Sequence, residues 1–168
     1  MTFEEFASAH LAAVLRFAAV LAGDRAAADD LAQEVLIRAY SRWDRIGGLE
    51  RPEFYVRKMI LNEFLSWRRR SARQARRDLL AERASAVPDH AQAYSEREAL
   101  LGELSKLPRR QRAVLVLRYY EGRPDTEIAQ LLGCSPGTVR GYASRALAAL
   151  RVEMTPRPGA ALRTKVES

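Results

Sequence analysis

The stretch from Asp125 to Leu150 reads DTEIAQLLGCSPGTVRGYASRALAAL and decides how the C-terminal part of the chain folds. Apolar residues at helical spacing predict a short helix that ends at Gly133, because glycine readily adopts the left-handed conformation of a helix C-cap. Ser135 is a favourable N-cap for a second helix, and Pro136 is a favourable first residue. Two helices joined by so tight a turn form a helix-turn-helix, so the pattern predicts binding to double-stranded DNA.

The second helix of this motif has apolar residues on one face and small or basic residues on the other. Such an outer face can enter the major groove, where arginines donate to guanine edges or to phosphates. The sequence alone does not separate these two kinds of contact. An ordinary helical hairpin packed in a core is the alternative, which the basic outer face disfavours. The candidate DNA contacts are Thr126, Thr138, Arg140, Gly141, Ser144 and Arg145.

The composition limits which kinds of binding partner and metal or disulfide site the chain can have. The chain has 28 Lys+Arg and 21 Asp+Glu in 168 residues, a net charge of +7 that favours a polyanionic partner. A single cysteine, Cys134, excludes an internal disulfide and a cysteine-based metal cluster, and His10 and His90 lack metal-site spacing. We therefore expect no metal and no cofactor. With no signal-like N-terminus and no run of 18 apolar residues, the sequence predicts a cytoplasmic protein without a membrane span.

Helical periodicity recurs along the chain without a convincing strand pattern, so we predict an all-α protein. Three helices are expected in the N-terminal half: from about Thr2 to Leu21, from an N-cap at Asp24 to about Trp43, and from Pro52 onward. A flexible loop is expected from Arg45 to Glu50. Another helix starts near Glu96, and a further one covers Arg109 to Tyr120 ahead of the helix-turn-helix.

These helices are expected to form two small domains joined by a flexible linker. The linker is the stretch in which large apolar residues lose their periodicity and alanine, arginine and serine become common. The expected boundaries are 1–72 for a domain with a three-helix core, 73–95 for the linker, 96–154 for a four-helix domain that ends in the helix-turn-helix, and 155–168 for a disordered tail.

The predicted helix that begins at Pro52 interleaves aromatic and basic side chains. Nine basic and two acidic residues lie between positions 51 and 77. Aromatic rings can stack on exposed bases while arginines follow the phosphates, which suits melted DNA better than an intact duplex. A solvated arginine-rich face, with Phe54 and Phe64 in the core, is the alternative. The candidate contacts are Tyr55, Lys58, Asn62, Trp67, Arg68, Arg69 and Arg70.

The segment ADDLAQEVLIRAY, residues 28–40, places acidic residues early in a predicted helix. The helix dipole favours acids there, which is one explanation. The other is a polar face that docks on a protein partner, made of Asp30, Gln33, Glu34 and Arg38. Acid/base chemistry is disfavoured because no histidine, nucleophile or glycine-rich phosphate loop accompanies the carboxylates. We therefore expect no catalytic residue.

These three motifs, in this order, resemble the extracytoplasmic-function class of bacterial RNA polymerase sigma factors, group IV of the sigma-70 family. The most similar subgroup is the actinobacterial one often called the SigE family, and the resemblance covers about residues 1–152. ADDLAQEVLIRAY is similar to the region 2.2 helix, which binds the coiled coil of the polymerase β′ subunit. The resemblance implies this role for Asp30, Leu31, Gln33 and Glu34.

FYVRKMILNEFLSWRRR is similar to regions 2.3 and 2.4, which melt and read the −10 element. This implies that Asn62 and the loop from Trp43 to Arg51 hold a flipped-out base, while Tyr55, Trp67 and the arginines at 68–70 contact the opened strand. LPRRQRAVLVLRYYEGRPDTEIAQLLGCSPGTVRGYASRAL is similar to region 4, which reads the −35 element and meets the β flap.

The chain departs from the common family pattern at a few positions in its DNA-binding segments. Tyr55-Val56 stands where many members have Trp-Leu, and Ser66 where many have aspartate. Gly141 and Tyr142 replace the commoner choices in the recognition helix. These differences leave the promoter consensus open.

The resemblance implies a non-enzymatic promoter-specificity subunit that binds bacterial core RNA polymerase and promoter DNA. A linker of ~20 residues at ~3.3–3.6 Å per residue could separate a −35 reader from a −10 reader by several nanometres. An anti-sigma partner is a hypothesis that rests on the family alone. A stand-alone helix-turn-helix regulator with an N-terminal dimerisation or sensor domain is the alternative, which the basic and aromatic helix disfavours.

Overall fold

The computed structural model describes residues 1–66 and 96–154, and their regular secondary structure is entirely helical, which confirms the all-α prediction. Contacts divide the chain into two compact units, Met1–Ser105 and Lys106–Ser168. The predicted linker at 73–95, the predicted tail at 155–168 and the candidate contacts Trp67 to Arg70 lie outside the described residues.

The described residues of the first unit form five helices, and local capping determines where the first two begin. The hydroxyl of Thr2 accepts the Glu5 N–H at 3.2 Å and the Glu5 carboxylate accepts the Thr2 N–H at 2.7 Å, a reciprocal capping box. The carboxylate of Asp24 accepts the Ala27 N–H at 2.9 Å, which confirms the predicted N-cap. The helices are α1 Phe3–Ala22, α2 Arg25–Tyr40, α3 Trp43–Ile46, α4 Pro52–Ser66 and α5 Glu96–Ser105.

The end of α2 differs from the prediction, because the helix stops at Tyr40 and does not reach Trp43. Trp43 instead begins the short α3 in a stretch that was predicted to include a loop, and it is only 8% exposed. Its indole N–H donates to the Met1 carbonyl at 2.9 Å, and its ring lies 4.8 Å from that of Phe6 between centroids. Gly47 permits this packing, because a Cβ there would lie 2.6 Å from the Met1 oxygen.

The core of the first unit lies where α1, α2 and α4 pack against one another. By length and composition α1 could also cross a membrane, but core helices of soluble proteins pass the same test. Here α1 buries its largest apolar side chains against α2 and α4, each contributing about 1.5–3 kcal/mol. The largest buried side chains are Phe6, Phe17 and Leu21 from α1, Leu31 and Val35 from α2, and Val56, Ile60, Leu61 and Phe64 from α4.

The second unit is built around the helix-turn-helix. It contains α6 Arg109–Leu115, a π-helical turn Val116–Tyr120, α7 Asp125–Leu132 and α8 Pro136–Met154, with α6 and α7 packed on α8. A single α-helix from Arg109 to Tyr120 was predicted, but its second half, Val116–Tyr120, is a π-helical turn. Glu121 N–H donates to the Val116 carbonyl at 3.0 Å, an i to i−5 bond that widens the helix.

Arg112 is a buried cation in α6 of the second unit. Its Nη2 donates to the Leu107 carbonyl at 3.3 Å, and desolvation, helped by the charge of Arg109, lowers its pKa to about 10. Burial of the guanidinium therefore opposes folding, while the hydrogen bond to the carbonyl offsets part of that cost.

Candidate nucleic-acid and partner interfaces

The turn between α7 and α8 is held by hydrogen bonds at both helix ends. Gly133 has φ +64° and donates its N–H to the Ala129 carbonyl, as the predicted C-cap requires. Ser135 Oγ accepts the Thr138 N–H at 3.1 Å, which confirms the predicted N-cap of α8. Arg110 Nη1 also donates to the Leu132 carbonyl at 3.2 Å, so an arginine of α6 satisfies the end of α7.

The outer face of α8 carries the residues predicted to contact duplex DNA. Arg140, Ser144 and Arg145 are exposed, and Thr138 and Gly141 are half-buried. Thr126 is exposed on α7. The opposite face packs inward through Val139, Ala143 and Ala146, so the amphipathic division of α8 agrees with the predicted one.

A bidentate ion pair that sequence reasoning missed ties α7 to the π-helical turn. Arg118 Nη2 lies 2.7 Å from both carboxylate oxygens of Asp125, and Arg118 Nε lies 3.0 Å from Oδ1. The hydrogen bonds to Asp125 raise the pKa of Arg118 above its ordinary value. Asp125 is the first residue of α7, where the helix dipole favours a carboxylate. The pair therefore holds the N-terminal end of α7, the first helix of the helix-turn-helix, against the π-helical turn.

The acidic face predicted on α2 is largely at the surface. Asp30 and Gln33 are exposed and Glu34 is half-buried. Leu31 is a correction, because only 1% of it is exposed and it packs in the core, where it cannot touch a partner. Ile37 was missed: it is 63% exposed, and its i+7 spacing from Asp30 places it on the same face. We call Asp30, Gln33, Glu34 and Ile37 the acidic face.

Arg38, which was also predicted to dock on a partner, makes an ion pair within the unit. Its Nη2 is hydrogen-bonded to the Glu63 carboxylate of α4 and lies 3.7 Å from Glu34 Oε1. The Glu63 side chain is 10% exposed and that of Arg38 is 41% exposed. The pair joins α2 to α4 at the residue next to Asn62, while the docking role of Arg38 stays a prediction.

We expect Arg38→Met to lower the free energy of unfolding by about 1–2 kcal/mol, since it removes the guanidinium from a largely buried carboxylate and the pair is partly screened. Arg38→Met with Glu63→Leu should recover most of the loss, because the buried carboxylate that the guanidinium stabilised is then absent as well. Urea unfolding of the full chain measures both, with Arg42→Met as the control on an exposed arginine. Additive losses in the double variant would contradict the bridge.

The α4 face contains the described residues that were predicted to contact melted DNA. Lys58 and Asn62 are exposed and Tyr55 is half-buried, and their i, i+3, i+7 spacing places them on one side of the helix. Phe64 faces the core, as the alternative interpretation of this helix allowed. We call Tyr55, Lys58 and Asn62 the α4 face.

The predicted base-holding loop from Trp43 to Arg51 is smaller than expected. Trp43 and Ile46 are buried, so neither side chain is available to a base. The exposed residues of this segment are Asp44, Arg45 and Gly48 to Arg51. In the parts of the chain that the structure describes, no group of three or more His, Cys, Asp or Glu side chains could hold a metal ion.

Comparison with known proteins places these surfaces in a family. The sigma-70 region 2 family model matches residues 6–74, and the sigma-70 region 4 family model matches residues 97–150. The RNA polymerase sigma-E factor of Streptomyces avermitilis is 35% identical over 158 residues, which cover 94% of this chain and 87% of that protein. The chain belongs to the sigma-70 family of RNA polymerase sigma factors.

Other relatives support the same family assignment for this sigma factor. The ECF RNA polymerase sigma factor SigL of Mycobacterium tuberculosis H37Rv is 35% identical over 150 residues, covering 86% of this chain and 84% of that protein. The sigma factor RpoE of Bartonella quintana, solved with the anti-sigma factor NepR, has a similar fold. Its TM-score is 0.62 at 22% identity, over 92% of this chain and 98% of that one.

The predicted identification is confirmed, and this sigma factor directs transcription initiation by RNA polymerase. The acidic face and the α4 face lie within the region 2 match, and the outer face of α8 lies within the region 4 match. The region 4 match starts within α5, a helix that belongs to the first unit by its contacts. A stand-alone regulator does not account for the region 2 match.

Proposed function

We propose that this sigma factor uses three separate surfaces in transcription initiation, one for core polymerase and two for promoter DNA. The acidic face binds the β′ coiled coil of core polymerase, the α4 face captures unpaired bases of the −10 element, and the outer face of α8 reads the −35 duplex. The observation that carries the proposal is that α2 and α4 pack together yet keep Asp30, Gln33, Lys58 and Asn62 exposed. Both helices also lie within the residues that match sigma-70 region 2.

The acidic face suits a partner that is basic and partly apolar. Asp30 and Glu34 provide negative charge, Gln33 provides an amide, and the exposed Ile37 adds apolar area at the end of the same face. Interfaces of this kind gain affinity from a desolvated apolar centre and gain orientation from the surrounding charges. The Arg38–Glu63 bridge holds α2 against α4, so polymerase binding and base capture share one rigid support.

The α4 face favours open DNA because its groups satisfy bases that have lost their partners. Each stacked or captured base is worth ~1–3 kcal/mol, whereas one DNA stacking step costs about 1.4 kcal/mol to break. Capture of one or two bases therefore offsets the opening of one or two steps. Tyr55 offers a ring, Asn62 an amide that can pair with a base edge, and Lys58 a charge for the phosphates.

The outer face of α8 supplies duplex affinity. Arg140 and Arg145 carry exposed guanidinium groups on α8, the helix that follows the turn. In a recognition helix, the end next to the turn is the one that enters the major groove.

The surfaces described here carry groups suited to binding, so we infer that this sigma factor is not itself an enzyme. RNA synthesis then stays with core polymerase in the cytoplasm, at the nucleoid.

We also propose that an anti-sigma protein controls this chain, since the sigma factor RpoE, which has a similar fold, was solved in complex with the anti-sigma factor NepR. A protein that covered the acidic face would compete with core polymerase for Asp30 and Gln33. Its binding and that of core polymerase would then be mutually exclusive.

Run-off transcription with bacterial core polymerase and a promoter library tests the proposed function. We expect discrete transcripts that depend on adding this chain, with start sites downstream of shared −35 and −10 elements. Core polymerase alone is the control, because it initiates without promoter preference. Retained DNA binding without specific initiation would contradict the proposal.

A further inference from the structure

Gly141 is a residue that the folding of α8 does not explain. It lies inside a long helix, where glycine is less favourable than alanine because it loses more conformational freedom. No positive φ requires it, and a Cβ placed there would meet Arg145 Nη2 at 3.6 Å as its nearest neighbour outside the local backbone. What lies over Gly141 is therefore the guanidinium of Arg145.

The same guanidinium also lies over an aromatic ring. Arg145 Cζ is 5.4 Å from the centroid of the Tyr142 ring, within the range of a cation–π contact. Helical side chains lean toward the N-terminus, so the Arg145 side chain reaches back by about one turn toward the end of α8 that meets DNA. Gly141 has no side chain and so leaves space for the Arg145 guanidinium, and the Tyr142 ring packs against that guanidinium.

Arg140 gives an internal comparison on the same helix. Its Nη2 lies 3.8 Å from the position of a Cβ on Gly137, so it also reaches back over a glycine. Among the described side chains of α8, Arg145 makes a cation–π contact and Arg140 does not. The two arginines therefore differ in the support beneath the guanidinium.

We propose that Gly141 and Tyr142 form a guanidinium slot that orients Arg145 and makes it a guanine-specific contact of the −35 reader. The inference rests on the proposed role of α8 in reading the −35 duplex. Bidentate donation to O6 and N7 of guanine requires the guanidinium plane to be aligned with the base, and a supported fork loses less freedom when it binds. A phosphate contact has no such requirement.

The test compares full-length variants in the holoenzyme, bound to a promoter library with a randomised −35 element and sequenced after selection. Arg145→Ala should abolish a guanine preference at one position, and Tyr142→Leu should weaken that preference about 2- to 5-fold. Tyr142→Phe keeps the ring and should retain the preference. Gly141→Leu fills the slot and should lose the preference, whereas Gly141→Ala places a Cβ only 3.6 Å from Arg145 Nη2 and should weaken it less.

Arg16→Ala is the control, since it removes an exposed arginine of α1 that lies outside the outer face of α8 and should leave the guanine preference in place. An unchanged preference in Tyr142→Leu would overturn the slot while leaving the −35 role of α8 intact. A uniform loss of affinity across all sequences in Arg145→Ala would also overturn it, because that is the signature of a phosphate contact. A wild-type holoenzyme without any −35 preference would overturn the proposed role of α8 together with the slot.

Discussion

We expect Asp30→Arg combined with Gln33→Ala to weaken association with core polymerase by at least about 100-fold while both units stay folded. Both side chains are exposed on α2, so their replacement should change stability by no more than about 0.5 kcal/mol. The new arginine would face the basic partner that the acidic face is proposed to bind, and a like-charge contact is strongly unfavourable. The dissociation constant from core polymerase measures the effect, and circular dichroism checks the fold.

Glu4→Arg combined with Ser8→Ala is the matched control for this variant. It makes the same change of charge and truncates a second polar side chain on exposed positions of α1. Association should remain as in the unmodified chain, which separates a local effect from the general effect of added positive charge. Equal affinities of the Asp30 variant and this control would refute the assignment of the acidic face.

Asn62→Ala is expected to reduce promoter opening by about 5- to 150-fold, the range that corresponds to one lost contact to a base edge of ~1–3 kcal/mol. Asn62 is exposed on α4, so the substitution removes an amide without opening a cavity in the core. Holoenzyme assembly should be unchanged, since the acidic face is untouched. Fluorescence of 2-aminopurine placed in the −10 element measures the opening directly.

A template with a pre-formed mismatch bubble provides the control for Asn62→Ala. On that template the free-energy cost of melting is already removed, so the deficit in transcription should become much smaller. An equal deficit on both templates would indicate that Asn62 acts on a step other than opening. Full opening of the duplex template by the variant would refute base capture by this residue.

Local rules account for the parts of the fold that were predicted from the sequence. The N-cap at Asp24, the left-handed Gly133 and the N-cap at Ser135 each depend on groups within three or four residues of one another. The helix-turn-helix at Asp125 to Leu150 follows from such signals, as does the outward orientation of Arg140 and Arg145. The order of the motifs was also sufficient to identify the family.

Partners distant in sequence account for the contacts that were not predicted near the proposed polymerase surface. Arg38 and Glu63 are 25 residues apart, and Trp43 donates to a carbonyl 42 residues away. Neither distance appears in a helical repeat, so the ion pair of Arg38 was not predicted and Trp43 was expected at the end of a longer helix. Leu31 was assigned a partner by resemblance, although its own helical spacing places it in the core.

The sequence by itself determined the caps at Asp24, Gly133 and Ser135, the amphipathic faces and the family, because these depend on short-range hydrogen bonds and on the helical period. The tertiary structure alone decided which polar side chains remain available. Packing of α2 on α4 engages Arg38 with Glu63, and the π-helical turn aligns Arg118 with Asp125. Each of these pairings requires two side chains to meet in space, which the helical period alone does not specify.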